Sequence, residues 1–421
     1  MSATSAVKLA SKSGTHKPKH HSYTTHLITM ACNLMNYTGI GARTCLKALQ
    51  VITHLVDLDQ KLPCRSTIAV WNRKLARSCT SHSSLPGEAK WALLIDESIT
   101  IGSNKILLIL GVCLDEFKFT RPICLEDCHV LSATLRRSWT GQAVADQIDE
   151  LRHSGFQIDY LVSDQGANLI KAAKLAKLER VDDCAHYFST VLRQQYLQST
   201  GFELFEKECT QTKRAGTNCN HAHLLPPKHY ANSRFMNITP VVKWGIKTIT
   251  LLEQHVDHEL IQPYQDKINW VIDHRSLLTE MHHSVQLVDQ LSGALKDEGY
   301  HGRVYTWAKH IISQASEVRI AIRKKLMAYF QQLESIRGQR SQLICSTDIL
   351  ESHFAHLKRK PIHCVGAASK RLVLSGRTTS YDQVAKAMEA CSVRSLYRAA
   401  QLRGDPPTVA QRRAIINKLV A

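Results

Sequence analysis

Two apolar runs in this 421-residue chain end on an aspartate, WALLID at 91–96 and IDYLVSD at 158–164, and the segment between them leaves little freedom in how the chain can fold. From Lys90 the sequence breaks into short apolar stretches with polar or glycine punctuation: KWALLIDES, NKILLILGVCLDE (104–116) and RPICLEDCHVL (121–131). Three candidate strands at such close spacing predict an antiparallel meander. SWTGQAVADQIDELRHSG (138–155) reads as an amphipathic helix with a serine cap, and 158–164 as a fourth, apolar strand. QGANLIKAAKLAKL continues as a helix, ERVDDCAHYF supplies a short fifth strand, and another helix follows. A crossover through a helix favours parallel neighbours, so the strand ending on Asp164 is expected beside the strand carrying Asp96.

Charge is unevenly spread. The formal +18 divides into +9 over 1–80, −4 over 81–190, +3 over 191–351 and +10 over 352–421. Basic ends around an acid-rich centre suit a polyanionic partner bound by the flanks and a central site that needs cations. With 44% hydrophobic and 21% charged residues the chain has the composition of a globular protein. Residues 1–21 read as a flexible basic arm without a secretory signal. The longest apolar run, 106–114, is far short of the roughly 20 residues that span a bilayer. No membrane partner is expected, and the protein reads as soluble and intracellular: cytoplasmic or nucleoid-bound in a bacterium, nuclear in a eukaryote. Thirteen cysteines without a CxxC pair suit reduced, mostly buried thiols.

Residues 22–82 read as helical. One helix covers 24–36, TGIGA (38–42) is a turn, and a second helix covers 43–56 with Leu46, Leu49, Ile52 and Leu55 at helical spacing. Ser66 or Thr67 can cap a third, carrying Trp71, Arg73, Lys74 and Arg77. The pattern suits a helix-turn-helix-like unit whose last helix enters a DNA groove through Arg73, Lys74 and Arg77, and equally a plain three-helix bundle with a wet basic face. Residues 190–345 read as helical almost throughout. Trp244, Trp270 and Trp307 in that stretch suit core packing, or stacking on a flipped base. Cys209, Cys219, His221 and His223 lie close together, but their spacing matches no common zinc module.

Three acids stand in contexts that suit metal-dependent phosphoryl transfer: Asp96, Asp164, and Glu351 in CSTDILESHFAHLK. Carboxylate oxygens are natural ligands for Mg²⁺ or Mn²⁺, and two such ions about 3.5–4 Å apart clamp the attacking and leaving oxygens at phosphorus. Asp96, on the central strand, is assigned the bridging position, with Asp164 and Glu351 each holding one ion. Glu97 points to the opposite face of its strand and is not counted as a ligand.

Over about residues 90–370 these acids, in this order of elements, resemble the DDE transposases of the retroviral-integrase superfamily. Asp183-Cys184-Ala185-His186 is similar to the Cys-or-Asp, two residues, His signature found in such transposases after the fifth strand. Lys358, seven residues beyond Glu351, is similar to the lysine of one bacterial insertion-sequence group, although Thr347 stands where that group has arginine. Seven residues are nearly two helical turns, which puts Lys358 on the face of Glu351, placed to hold a DNA phosphate. His186 either contacts DNA or packs beside the acids.

The resemblance implies an α/β fold: a ribonuclease-H-like mixed five-stranded sheet with helices, interrupted by an α-helical insertion. The corresponding division is arm 1–21, DNA-binding helices 22–82, core 83–195, insertion 196–340, final Glu helix 341–372 and basic helical tail 373–421. The implied activity is two-ion cleavage of double-stranded DNA at transposon ends and transfer of the 3′-hydroxyl ends into target DNA by a homodimer. A nuclease of the same fold without strand transfer, and a catalytically silent domesticated DNA-binding protein, are the alternatives.

Overall fold

The computed structural model describes residues 16–55, 61–79, 88–101, 104–196, 199–216, 224–227, 238–255, 257–358, 373–374, 378–402, 416–417 and 419. Residues 1–15 of the expected arm, much of the expected tail, and Cys219, His221 and His223 lie outside them.

Five strands form one mixed sheet: β1 (Lys90–Ile101), β2 (Asn104–Cys113), β3 (Cys128–Arg136), β4 (Gln157–Ser163) and β5 (Glu179–Asp182), in the order β3-β2-β1-β4-β5. β1–β2 and β2–β3 are antiparallel; β1–β4 and β4–β5 are parallel. Both faces of β1 and β2 are buried, which is why these strands read as continuous apolar runs rather than alternating ones. Trp91, Leu93, Ile95, Leu107 and Ile109 pack on one side with Val144, Ile148 and Leu169 from α4 (Gly141–His153) and α5 (Ala167–Leu175). Ala92, Leu94, Ile106, Leu108 and Leu110 face the opposite core. At Gly111 the sheet has no room for a side chain: a Cβ there would sit 2.6 Å from Leu131 Cδ1 and 3.0 Å from Trp91 Cε3.

Several boundaries differ from the sequence reading: the expected Ser66 or Thr67 cap lies inside a helix that starts at Arg65, and the fifth strand ends at Asp182 with 184–188 in the helix that follows. The third strand begins at Cys128, because 121–127 is spent on a turn: Arg121 forks onto Asp127 at 2.6 and 2.7 Å, and Leu125–Asp127 forms a 3-10 turn. Helix α4 is capped by Thr140, whose Oγ1 accepts from Ala143 N at 3.2 Å, and not by Ser138. The preceding Trp139 is buried and donates to the Lys105 carbonyl at 3.1 Å, so 138–139 serve the sheet.

After β5 the chain is helical: α6 (Cys184–Tyr196), α7 (Thr200–Gly216), α8 (Ile238–Gln254), short turns over 262–274, α9 (Arg275–Asp297), α10 (Gly302–Gln314) and α11 (Ile320–Arg337). Helix α11 packs on α6 and β5, with Tyr329 OH donating to the Asp182 carbonyl at 2.8 Å. Trp244 and Trp270 pack around Phe205 with ring centroids 6.5 and 5.7 Å away, a structural use of both indoles. Trp307 is 38% exposed on α10.

The first and last described helices share a core. Helices α1 (Thr25–Tyr37), α2 (Ala42–Leu55) and α3 (Arg65–Cys79) bury Leu27, Ile28, Cys45, Leu49, Ile68 and Trp71. Beyond α12 (Asp348–Lys358), α13 (Tyr381–Ala390) lies against α1 and α3, and α14 (Val393–Leu402) against α3. Asn33 ties the two ends together: its Nδ2 donates to the Thr379 carbonyl at 3.0 Å and its Oδ1 accepts from Thr379 N at 2.8 Å. No helix among the described residues is long and apolar enough to cross a membrane.

The return from the helical layer to the sheet is clasped by Arg340, whose guanidinium meets both Asp159 oxygens at 2.8 and 3.0 Å and Glu179 at 2.6 Å. A forked, half-buried guanidinium of this kind holds geometry that a surface pair does not. Arg340→Ala is expected to cost about 2 kcal/mol, read as a lower urea midpoint at unchanged slope.

Candidate active site

The register of the sheet brings two of the three acids together. Ile95 is the parallel partner of Ser163, so the next residues in each strand direction, Asp96 and Asp164, leave the β1–β4 pair side by side. Asp96 belongs to the face of Ala92 and Leu94, while Glu97 follows Ile95 to the other, where its Oε1 accepts from Asn168 Nδ2 at 3.3 Å. Asp164 closes a tight turn into α5: its Oδ1 accepts from Gly166 N at 2.9 Å, and a Cβ on Gly166 would come equally close to that oxygen. Arg180 donates to the Asp164 carbonyl at 3.1 Å.

The acids feel one another. Burial, then the Asp164 charge, push Asp96 up to about 7; His186 pulls it down and Glu351 adds further repulsion. Glu351, in the first turn of α12, is exposed as a whole side chain, yet the crowd around its carboxyl desolvates it enough to raise its pKa. His186 opposes that rise, and Asp348 and Asp183 reinforce it. Lys296 reaches the same helix turn from α9, with its Nζ 2.5 Å from Asp348 Oδ2.

Glu351 is brought to the sheet by a short zipper. Tyr300 and Leu343 form a backbone bridge, Ile344 N donates to Tyr160 OH at 2.8 Å, and Cys184 N donates to the Cys345 carbonyl at 2.8 Å. Asp183 completes it. Buried to 1% exposure, its Oδ1 accepts from His186 N at 2.8 Å and His186 Nδ1 at 2.9 Å, and its Oδ2 from Thr347 N at 2.6 Å and Thr347 Oγ1 at 2.8 Å. Burial alone would raise its pKa; these donors overcome that and hold the carboxyl below its ordinary value. The hydrogen bond to Asp183 in turn pushes His186 up to about 9, against desolvation and with help from Asp183, Asp164 and Glu351. The site therefore carries an imidazolium at neutral pH.

Four sequence-selected cations fare differently. Lys74 does not face solvent: it is 6% exposed, donates to the Met388 carbonyl at 3.1 Å and lies 3.0 Å from His21 Nε2. Its expected role as a DNA contact is corrected to packing between α3 and the C-terminal helices. Arg73 is half-buried, with Nε donating to the Ala69 carbonyl at 3.2 Å, and Arg77 is exposed. The backbone of α12 runs through Lys358, whose side chain lies outside the described residues. Sequence reading missed Tyr160, Lys296 and Arg340, which carry no motif. In sequence Thr347 marks only a departure from the insertion-sequence pattern; folded, it donates to Asp183.

Among the described residues no three His, Cys, Asp or Glu side chains converge closely enough to hold a metal ion as they stand. The donor chemistry suits one nonetheless: Asp96 and Asp164 offer adjacent hard oxygens whose mutual repulsion a divalent cation relieves, with Glu351 at the rim.

No protein-family model matches the sequence, and no curated protein matches it. Among solved structures the chain is similar to the Drosophila P element transposase strand transfer complex. The identity is 12% and the TM-score 0.46, with 94% of this chain and 100% of that chain covered.

Replacing Asp183 by Asn keeps the shape and removes the charge. The His186 titration midpoint, followed by NMR of its ring protons, is expected to drop from about 9 toward the ordinary imidazole value of about 6.5. Because His186 is raised on folding, its stabilising contribution is complete below about pH 6.5 and is lost as pH rises through about 9. The stability gap between wild type and Asp183→Asn should therefore be wide near neutrality and narrow by about pH 10.

Proposed function

We propose that the chain is a DDE-type DNA transposase with a ribonuclease-H-like core, acting on double-stranded DNA at element ends. The observation that carries this reading is the β1–β4 register, which sets Asp96 and Asp164 side by side on the face toward which the Asp183–Thr347 knot draws the Glu351 helix. Burial, together with the Asp164 charge, raises Asp96 to about 7; such an arrangement is costly to a fold that does not use it and supports a catalytic site over a structural one.

Asp96, Asp164 and Glu351 are the ligands in this reading. Bound there, Mg²⁺ or Mn²⁺ supplies an activated water and neutralises charge on the phosphate. Asp96 must release its proton before it can ligate, so ligation competes with protonation near neutral pH. The His186 imidazolium, fixed by Asp183, faces the same acids and is placed to hold a phosphate oxygen rather than to accept a proton. Water attacks phosphorus in line and the P–O3′ bond breaks, leaving a free 3′-hydroxyl. That hydroxyl then attacks a phosphodiester of target DNA, which displaces a second 3′-oxygen. Synapsis of two ends asks for a dimer.

The test uses supercoiled plasmid carrying the element ends, with Mg²⁺. Asp96→Asn, Asp164→Asn and Glu351→Gln should each lower nicking by about three orders of magnitude, the several kcal/mol that metal-assisted charge stabilisation is worth, and spare DNA binding. At limiting Mg²⁺ wild-type nicking should rise with pH, because burial and the Asp164 charge raise the Asp96 pKa and its proton must leave before it can ligate. Full activity in any of the three variants removes the assignment, and nicking without joined products makes the chain a nuclease.

A further inference from the structure

The N-terminal helices hold a surface that the site does not use. Helices α1 and α2 are joined by a four-residue turn, 38–41, in which Gly39 sits at φ +68 and Thr38 Oγ1 caps the Leu34 carbonyl at 2.5 Å. A short glycine-containing turn between two helices is the connection used in helix-turn-helix units, whose second helix enters the DNA major groove. The third helix, α3, is poorly placed for that task. It buries Ile68, Trp71, Lys74, Leu75 and Ala76, and α13 and α14 lie against it.

Helix α2 buries only Cys45, Leu49 and Thr53, and packs mainly on α1 and α3. Arg43, Lys47, Gln50, Val51 and His54 are exposed, at the spacing that places them on one face. Val51 is 59% exposed, with Lys47 and His54 to one side and the 76% exposed Leu55 to the other. No acidic residue occurs before Asp57, so nothing within α1 or α2 neutralises this face.

We infer that α2, and not α3, is the helix that enters the major groove of duplex DNA. Arg43 and Lys47 lie in its first half, where groove-entering helices meet base edges and phosphates. Gln50 offers the paired amide donor and acceptor that match adenine, and Val51 offers a contact for a thymine methyl. The inference rests on the proposal that the chain acts on DNA.

Fluorescence anisotropy with the full chain tests it on two labelled duplexes of about 30 base pairs, one of mixed sequence and one recovered by the wild-type chain from a random pool. Arg43→Ala/Lys47→Ala is expected to weaken both at least tenfold and to lower the salt slope by about 2, one unit per lost phosphate contact. Gln50→Ala should weaken the recovered duplex about tenfold and leave the mixed one unchanged. Arg73→Ala/Arg77→Ala should stay within about threefold on both, and unchanged thermal unfolding of each variant shows that the helices remain folded. Binding by the α2 double variant as tight as wild type, or an equal loss in the α3 variant, overturns the inference with DNA binding intact. A wild-type chain that holds neither duplex overturns the DNA reading with it.

Discussion

Taking a carboxylate out of water costs several kcal/mol unless every oxygen finds a donor, and Asp183 finds four from residues far apart in sequence. Two come from His186, at the start of α6, where the carboxylate caps the helix; two come from Thr347, 164 positions later. The same group thus fixes the imidazole and pins the segment that leads into α12. Removing it leaves a buried backbone N–H without an acceptor at the point where the helical layer rejoins the sheet. The Glu351 side chain itself stands at the rim, and its helix is held besides by buried Leu350 and Phe354 and, through Asp348, by Lys296.

A second constraint is opposed to the first. Parallel pairing of Ile95 with Ser163 forces two carboxylates to emerge together from neighbouring strands, and the fold answers that repulsion in two ways. Asp96 is raised to about 7, so part of the charge is removed by protonation near neutrality; His186, raised to about 9, supplies a fixed positive charge opposite. The two shifts have opposite causes. Burial and like charge drive the first, and hydrogen bonding to a buried carboxylate drives the second. Asp183 is therefore part of the electrostatics of the acid pair without belonging to it.

The strands were legible because both sheet faces are buried, which leaves runs such as 91–95 and 106–110 apolar throughout. Adjacency of Asp96 and Asp164 followed from the helical crossover between their strands, and the short acid-to-histidine spacing at 183–186 stood out as a motif. What was illegible depends on long-range partners. The cap moved from Ser138 to Thr140 because Trp139 is drawn into the sheet, and the start of β3 moved because Arg121 and Asp127 pair within a turn. Lys74 sits among arginines in sequence and reads as one more surface cation; the helix that buries it lies over 300 positions later, at Met388. No local pattern announces that.

That burial alters how the charge of the chain is understood. The basic ends, +9 over 1–80 and +10 over 352–421, look in sequence like two separate arms. Folded, α1, α3, α13 and α14 form one helical body stitched by Asn33 and Thr379, and its basic residues come from both ends: Arg65, Arg73, Lys74 and Arg77 on α3, and Lys386, Arg394 and Arg398 on α13 and α14. Repulsion between like charges opposes such an arrangement, and the buried Lys74 adds to the cost. On the DNA reading proposed above, a bound polyanion offsets the repulsion. The acid cluster asks for cations in the same way. On that same reading, a polynucleotide and its counter-ions relieve the excess charge of both parts of the fold.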